Sequence, residues 1–236
     1  MPEQADPIVE LGKRLGYRFA ESGTAEQALT HRSAGPVHNE RLEFLGDAAI
    51  GLAVADMLYT EWPDLAEGDL TRMRSSLVNS EALARLARTL DLGELIMMGV
   101  GEQHGGGFQR RSTLEDVFEA VIGAVFVDGG YDAAREVLGR LFAEPLNDLP
   151  DPELLKDPKT RLQEVLQARS IALPEYCLTA SSGPDHAREF SAECRIEAMH
   201  LTGCGRGSSR RRAEQAAADD VLSRLADLNP SHSRSA

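Results

Sequence analysis

Cysteine is nearly absent from the chain: Cys177, Cys194 and Cys204 are the only three among 236 residues, too few for a disulfide framework. Long apolar runs are missing as well. The two longest, Ala48 to Ala55 and Ala120 to Val127, hold eight residues each, between Asp47 and Asp56 and between Glu119 and Asp128. A bilayer span needs about 20 apolar residues. No basic, apolar and small-residue leader follows Met1, so export and membrane insertion are not expected. These absences predict a cytoplasmic protein with reduced thiols, its three cysteines serving as small core residues. Apolar residues at 42% and charged residues at 27% predict a globular chain of one large or two modest domains.

Positive charge is also scarce. With 25 Lys and Arg against 38 Asp and Glu, the net charge is -13, which should repel nucleic acid from the molecule as a whole. The deficit is uneven, however. Residues 1–150 carry 25 acids and 13 bases, whereas residues 151–236 carry 13 and 12. Arg206, Arg210, Arg211 and Arg212 fall within seven positions of the second part. A polyanion can thus be held by one part and meet acids in the other.

Up to about Ala143 the apolar spacing is helical. Stretches run from Ile8 to Leu15, Ala25 to Thr30, Asn39 to Tyr59, Ser112 to Val127 and Asp132 to Phe142. Another carries Leu83, Leu86, Ala87 and Leu90 behind Ser80 as its expected N-cap. Four of the 11 prolines lie between Pro145 and Pro158, predicting an extended, non-helical connection. The expected division is 1–148, a linker at 149–157, a second domain at 158–228 and a polar, disordered tail at 229–236. In the second domain Asp157 caps a helix that opens on Pro158, with Leu162, Val165 and Leu166 as its apolar stripe. Alternating runs follow at Tyr176, Leu178 and Ala180 and at Phe190, Ala192, Cys194 and Ile196. A third short strand is expected over Ala198 to Cys204, and a last helix from Ser209.

Within the mostly apolar segment NERLEFLGDAAIGLAVADMLY, Glu40, Glu43 and Asp47 are spaced i, i+3 and i+7, which places them on one helical face. In LEDVFEAVIGAVFVD, Asp116 and Glu119 likewise share a face. Taken singly, each acid also fits a solvated face paired with a base such as Arg41. If the two faces meet, the repulsion among carboxylates must be relieved by protonation or by a cation. Oxygen ligands without histidine or cysteine suit Mg²⁺ or Mn²⁺, and such a site fits metal-assisted phosphoryl hydrolysis.

NERLEFLGDAAI strongly resembles the signature motif of the ribonuclease III family. QALTHRS, EGDLTRMRSSLVN and GGGFQRRSTLEDVFEAVIGAVFVD are similar to other parts of that family's catalytic domain. The resemblance implies an all-α catalytic domain in which Glu43, Asp47, Asp116 and Glu119 bind metal, with Asp47 and Glu119 catalytic. It implies secondary cleft acids at Glu40 and Glu67, and an aromatic knob at Phe44 that packs into a second subunit. Its further implications are a homodimer that hydrolyses each strand of duplex RNA with Mg²⁺ (Mn²⁺ as its substitute), giving 5′-phosphate and 3′-hydroxyl ends with short 3′ overhangs. Precursor ribosomal RNA and structured messenger RNA are the implied substrates. Arg72, Arg74, Arg110 and Arg111 are candidates for supporting contacts. The rival reading, a duplex-RNA binder without catalysis, would be favoured by loss of one of the four acids, and all four are present.

The second domain carries its own oddity, since Arg210, Arg211 and Arg212 fill the first helical turn after Ser209, where the helix dipole favours acids. That arrangement is unfavourable without an anion, and it predicts a phosphate clamp. Thr160, Gln163, Glu164 and Gln167 are expected to form a polar face suited to the 2′-hydroxyls of an A-form minor groove. Gly183, Pro184 and His186 form a tight polar tip. Together these pieces resemble a double-stranded RNA-binding domain, a small α+β unit of α-β-β-β-α order. The resemblance puts Thr160, Gln163, Glu164, Gln167, His186, Ser209, Arg210 and Arg211 on RNA.

Four other motifs fail. The glycines at 203, 205 and 207 do not sit in a βαβ unit, so no dinucleotide fingerprint is present, and GGGFQRRST lacks the lysine of a phosphate loop. His31 and His38 lack the partners of a zinc site, and Ser33 beside His31 lacks an orienting acid for nucleophilic catalysis.

Overall fold

The structure is a computed structural model that describes residues 6–184 and 187–228. It separates into two compact units, divided between Pro152 and Glu153. The first is helical: α1 (Pro7–Leu15), α2 (Ser22–Leu29), α3 (Glu40–Glu61), α4 (Glu67–Leu77), α5 (Ser80–Thr89), α6 (Val100–His104) and α7 (Arg111–Asn147). The long helices α3 and α7 form its centre, burying Ala49, Ile50, Ala53 and Val54 of one with Val117, Phe118, Val121 and Ile122 of the other.

Several local expectations change. Helix α4 has no apolar stripe to announce it, because Met73 and Leu77 are its only buried residues. Asn79 caps α5 by accepting from the Ala82 N–H at 3.0 Å, and Ser80 is instead the first helical residue, its hydroxyl donating to Glu115. The two helices expected over 112–127 and 132–142 run together as α7, broken only at Gly130, whose φ of 77° is open to a residue without Cβ. The connection after Ala143 is not extended throughout. Helix α7 continues through Pro145 to Asn147, where the proline forfeits one bond in a closing turn. A four-residue turn of helix, α8 (Pro152–Leu155), then opens on a proline, the position where a missing N–H is harmless.

The second unit consists of α9 (Pro158–Ala168), β1 (Glu175–Ser182), β2 (Glu189–Ile196), β3 (Leu201–Gly207) and α10 (Arg210–Leu228). Its antiparallel sheet has the order β1-β2-β3. Both helices cover one face of that sheet, with Leu162, Leu166, Cys194, Ile196, Ala217, Val221 and Leu225 as the shared core. The third strand begins later than expected because Glu197–Met199 forms a 3₁₀ turn ending at His200 in the left-handed region (φ 49°). In β1 only Tyr176 packs against the core. A register shift follows Leu178, and both Leu178 and Ala180 are exposed.

Of the three cysteines only Cys194 is a core residue, while Cys177 and Cys204 are exposed. Both pair with Glu193 across the sheet, one pleat away from Cys194 and therefore on the opposite face. The alternate glycines of β3 have a structural use. A Cβ on Gly205 would lie 2.2 Å from the Ala217 nitrogen and one on Gly203 2.6 Å from the Ala217 carbonyl oxygen, so these positions let α10 lie directly on the strand.

Candidate functional site

The carboxylates meet where α3 crosses α7. A Cβ on Gly46 would lie 1.8 Å from the Glu119 carbonyl oxygen, and one on Gly123 2.2 Å from that of Leu42. The helices therefore touch backbone to backbone, which brings Glu43 and Asp47 of one within the field of Asp116 and Glu119 of the other. Glu119 is only 9% exposed. Burial, then the charges of Asp47, Glu115, Glu43 and Asp116, push its carboxyl from 4.5 up to about 8. Glu43 is also raised, by burial and then by Asp116, Glu40 and Glu115, with Arg32 opposing. Asp116 is raised by burial and by Glu115, with His31 and Arg32 opposing. Glu43, Asp47, Asp116 and Glu119 thus act on one another as the two facing stripes required.

Burial and the surrounding carboxylates both favour the protonated form of Glu119. The donor set contains only oxygen and carries excess negative charge, which fits a hard divalent ion. Among the described residues no three His, Cys, Asp or Glu side chains already stand as a closed ligand set.

The secondary acids divide. Glu40 stands at the rim, 3.4 Å from Arg32 and 3.8 Å from His38 Nδ1. Glu67 begins α4, accepts from the Thr71 hydroxyl at 2.8 Å, and is not among the groups acting on Glu43, Asp116 or Glu119. Three residues absent from the sequence-based site belong to it electrostatically: Glu115, Arg32 and His31. Glu115 was legible, since it lies four residues before Glu119 on the same helical face. Of the supporting bases, Arg72 is paired with Asp69 and Arg110 with Glu102.

Phe44 is 81% exposed, and Leu52 (57%) and Tyr59 (74%) follow it along α3 within one angular sector. Exposed large apolar side chains on a central helix are what a subunit interface leaves on a single chain.

In the second unit, Asp157 caps α9, accepting both the N–H and the hydroxyl of Thr160 at 3.1 and 3.0 Å. The Thr160 hydroxyl is thereby engaged. Glu164 takes Lys156 at 2.7 Å, leaving Gln163 and Gln167 as the exposed amides of this face. Ser209 caps α10, its hydroxyl accepting from the Arg212 N–H at 3.2 Å. The crowd of arginines has an internal anion after all: Glu214 receives Arg210 Nε at 2.8 Å and Lys159 Nζ at 2.8 Å. Arg212 reaches the Ser208 hydroxyl, and Arg211 is exposed, without an ion pair among the described residues. His186 lies outside the described residues.

A family model described as Ribonuclease-III-like matches residues 21–146, and the Double-stranded RNA binding motif matches residues 158–225. Ribonuclease 3 of Idiomarina loihiensis is 46% identical over 93% of this chain and 96% of its own length. Ribonuclease 3 of Nitrosococcus oceani is 48% identical over 93% and 95%. A solved nuclease domain of ribonuclease III from Campylobacter jejuni, described as flexible in a region involved in dimer formation, aligns with TM-score 0.57 and 40% identity, covering 58% of this chain and 96% of that one. With crossed acidic helices in the first unit, an RNA-binding motif in the second and relatives matched nearly end to end, the chain belongs to the ribonuclease III family of double-strand-specific endoribonucleases.

Proposed function

We propose that the chain cleaves duplex RNA at the α3–α7 crossing, with Glu43, Asp47, Asp116 and Glu119 holding Mg²⁺, or Mn²⁺ in its place. The observation that carries this reading is the burial of Glu119, 9% exposed, at a backbone-to-backbone helix crossing where the charges of Asp47, Glu43 and Asp116 act on it. When bound, the ion supplies charge neutralisation at the scissile phosphate and activates water for in-line attack. The protein's part is to fix four carboxylates on two rigid helices and to keep Glu119 away from bulk water.

Gln163 and Gln167 read 2′-hydroxyls, Arg211 and a released Arg210 hold phosphates, and the helix start at Ser209 adds oriented amides. Thr160, Glu164 and His186 complete the expected contact set. Phe44 seats in a second copy of the chain, so that two sites serve the two strands, with Glu40 and Glu67 lining the shared cleft. The products carry 5′-phosphate and 3′-hydroxyl ends with short 3′ overhangs. Precursor ribosomal RNA and structured messenger RNA in the cytoplasm are the proposed substrates, and no helix among the described residues is long and apolar enough to cross a membrane. Incubation with long duplex RNA, with and without Mg²⁺, followed by end-group analysis, tests the reading. Intact RNA in Mg²⁺, or fragments ending in 3′-phosphate, would refute it.

A further inference from the structure

The stretch THRS, left without a role by the carboxylates, folds into a loop fastened along its length. Thr30 and Met97 form an isolated parallel bridge. The Met97 N–H donates to the Leu29 carbonyl at 2.8 Å and the His31 N–H to the Met97 carbonyl at 2.9 Å. Two residues on, the Gly99 N–H donates to Ser33 Oγ at 3.0 Å, and a Cβ on Gly99 would lie 2.4 Å from the Ser33 carbonyl oxygen. Ser33 Oγ also sits 2.8 Å from His31 Nδ1. The Ser33–His31 pair is thus part of a staple rather than a nucleophile with its base.

A loop fixed this way has little conformational freedom left to lose on binding, yet the residue at its centre is not buried. The Arg32 side chain is 71% exposed, and its one ion pair among the described residues is a 3.4 Å contact to Glu40. Such exposed pairs contribute little to stability. One long contact also leaves most of the five guanidinium donors unused. The position is informative: Glu40, which Arg32 touches, shares the first turn of α3 with Glu43, so the guanidinium stands at the rim of the carboxylates without belonging to the metal set, and its charge opposes the upward shifts of Glu43 and Asp116. An RNA strand approaching that cluster meets a strongly acidic unit, with 25 acids to 13 bases over residues 1–150. A cation is needed most at this rim. Arg72 and Arg110 are each committed to an acid at 3.0 Å or less, whereas Arg32 is held loosely.

We propose that Arg32 is an RNA-contacting residue of the catalytic unit, its guanidinium exchanging Glu40 for a non-bridging oxygen of a backbone phosphate that flanks the scissile bond. A planar fork suits that phosphate in a way that a point charge does not. Glu40 is then a docking point that keeps Arg32 off the metal-binding acids until RNA arrives. The proposal rests on the hydrolytic reading for the identity of the scissile bond, and its test is separable from that reading.

The experiment is a salt titration of short duplex RNA binding by the full chain, with Ca²⁺ replacing Mg²⁺ so that binding is read apart from hydrolysis. Arg32→Gln is expected to flatten the slope of log K against log salt by about 0.7 to 0.9, the loss of one phosphate contact, while Arg32→Lys keeps the slope. Glu40→Gln is expected to tighten binding several-fold, but only where Arg32 is present. In Mg²⁺, Arg32→Gln should raise KM more than it lowers kcat. Thermal melting should be unchanged, because the side chain is exposed. A slope and affinity in Arg32→Gln equal to those of the unsubstituted protein overturn the proposal, as does an equal Glu40→Gln effect in both backgrounds. A protein that binds duplex but never cleaves it would refute the hydrolytic reading, and the slopes would still decide Arg32.

Discussion

Gly46 and Gly123 face each other across the α3–α7 crossing, each so close to the opposite backbone that a Cβ would lie 1.8 Å from the Glu119 carbonyl oxygen in one case and 2.2 Å from that of Leu42 in the other. The glycine inside the acidic motif is therefore what sets the distance between the two carboxylate-bearing helices. Four acids, two per helix, can share one field only because no side chain separates the backbones at this point.

Gly46→Ala and Gly123→Ala should each force the helices apart. Overpacking of this kind destabilises by about 1–3 kcal/mol or more, readable as a lower urea midpoint. Cleavage should fall by more than the loss of folded protein accounts for, because the acids separate, whereas duplex binding by the second unit persists. Full cleavage in either alanine variant would show that the crossing distance does not matter to the chemistry.

Glu119 ties stability to pH. Its carboxyl is raised from 4.5 to about 8 in the folded chain, so between those values the folded state binds more protons than the unfolded state. Stability in chelator must then fall as pH rises through that window and level off above it. Glu119→Gln should weaken that dependence, leaving the part contributed by the raised Glu43 and Asp116 carboxyls, and should melt higher than the unsubstituted protein at pH 8, the two converging below pH 4.5. Mg²⁺ should raise the melting temperature of the unsubstituted protein more than that of the variant. Duplex binding should survive the substitution while cleavage drops on the order of 10³-fold, since positioned metal charge is worth several kcal/mol and each 1.4 kcal/mol is tenfold.

Helical period alone puts Glu40, Glu43 and Asp47 on one face and Asp116 and Glu119 on another, and a stripe of acids has no use in a core; singling out Glu43, Asp47, Asp116 and Glu119 as the metal set is what the resemblance to the ribonuclease III family implies. Glu115 obeys the same period, four residues before Glu119 on one helical face. Arg32 and His31 could not be placed from spacing, since their position depends on a staple between residues 30–33 and 97–99 that local pattern does not encode. Alternation predicts the strands of the second unit and already puts Cys194 in the apolar series of β2 and Cys177 between the apolar positions of β1; the expectation that all three cysteines are core residues holds for Cys194 alone. Proline marked the connection between units but did not end α7, because Phe142, fully buried three residues earlier, anchors its last turns.

Phe44 should control assembly. At 81% exposure it is the most exposed of the large apolar side chains described, and a buried aromatic anchor at a subunit interface typically contributes 2 kcal/mol or more. Phe44→Asp should shift sedimentation of the full chain from dimer to monomer and reduce cutting of both strands, with its melting in the monomer range little changed. An unchanged dimer would place the interface elsewhere than the exposed face of α3.

Glu214 links the fold of the second unit to its proposed RNA contacts. Its carboxylate takes Lys159 and Arg210 at 2.8 Å each, and the bond from Lys159 first, then that from Arg210, hold it below the ordinary carboxylate range. A depressed folded value means that the contribution to stability is present above the unfolded value and is lost as pH falls through the folded one. Glu214→Gln should therefore destabilise the second unit at pH 7 and become neutral in acid. The same substitution frees Arg210 and Lys159, so binding of duplex RNA should strengthen at low salt and its salt dependence should steepen. Arg211→Gln, which breaks no ion pair among the described residues, should do the opposite for binding without moving the melting curve. If Glu214→Gln weakens RNA binding while the fold is intact, Arg210 works from its place on Glu214 rather than by leaving it.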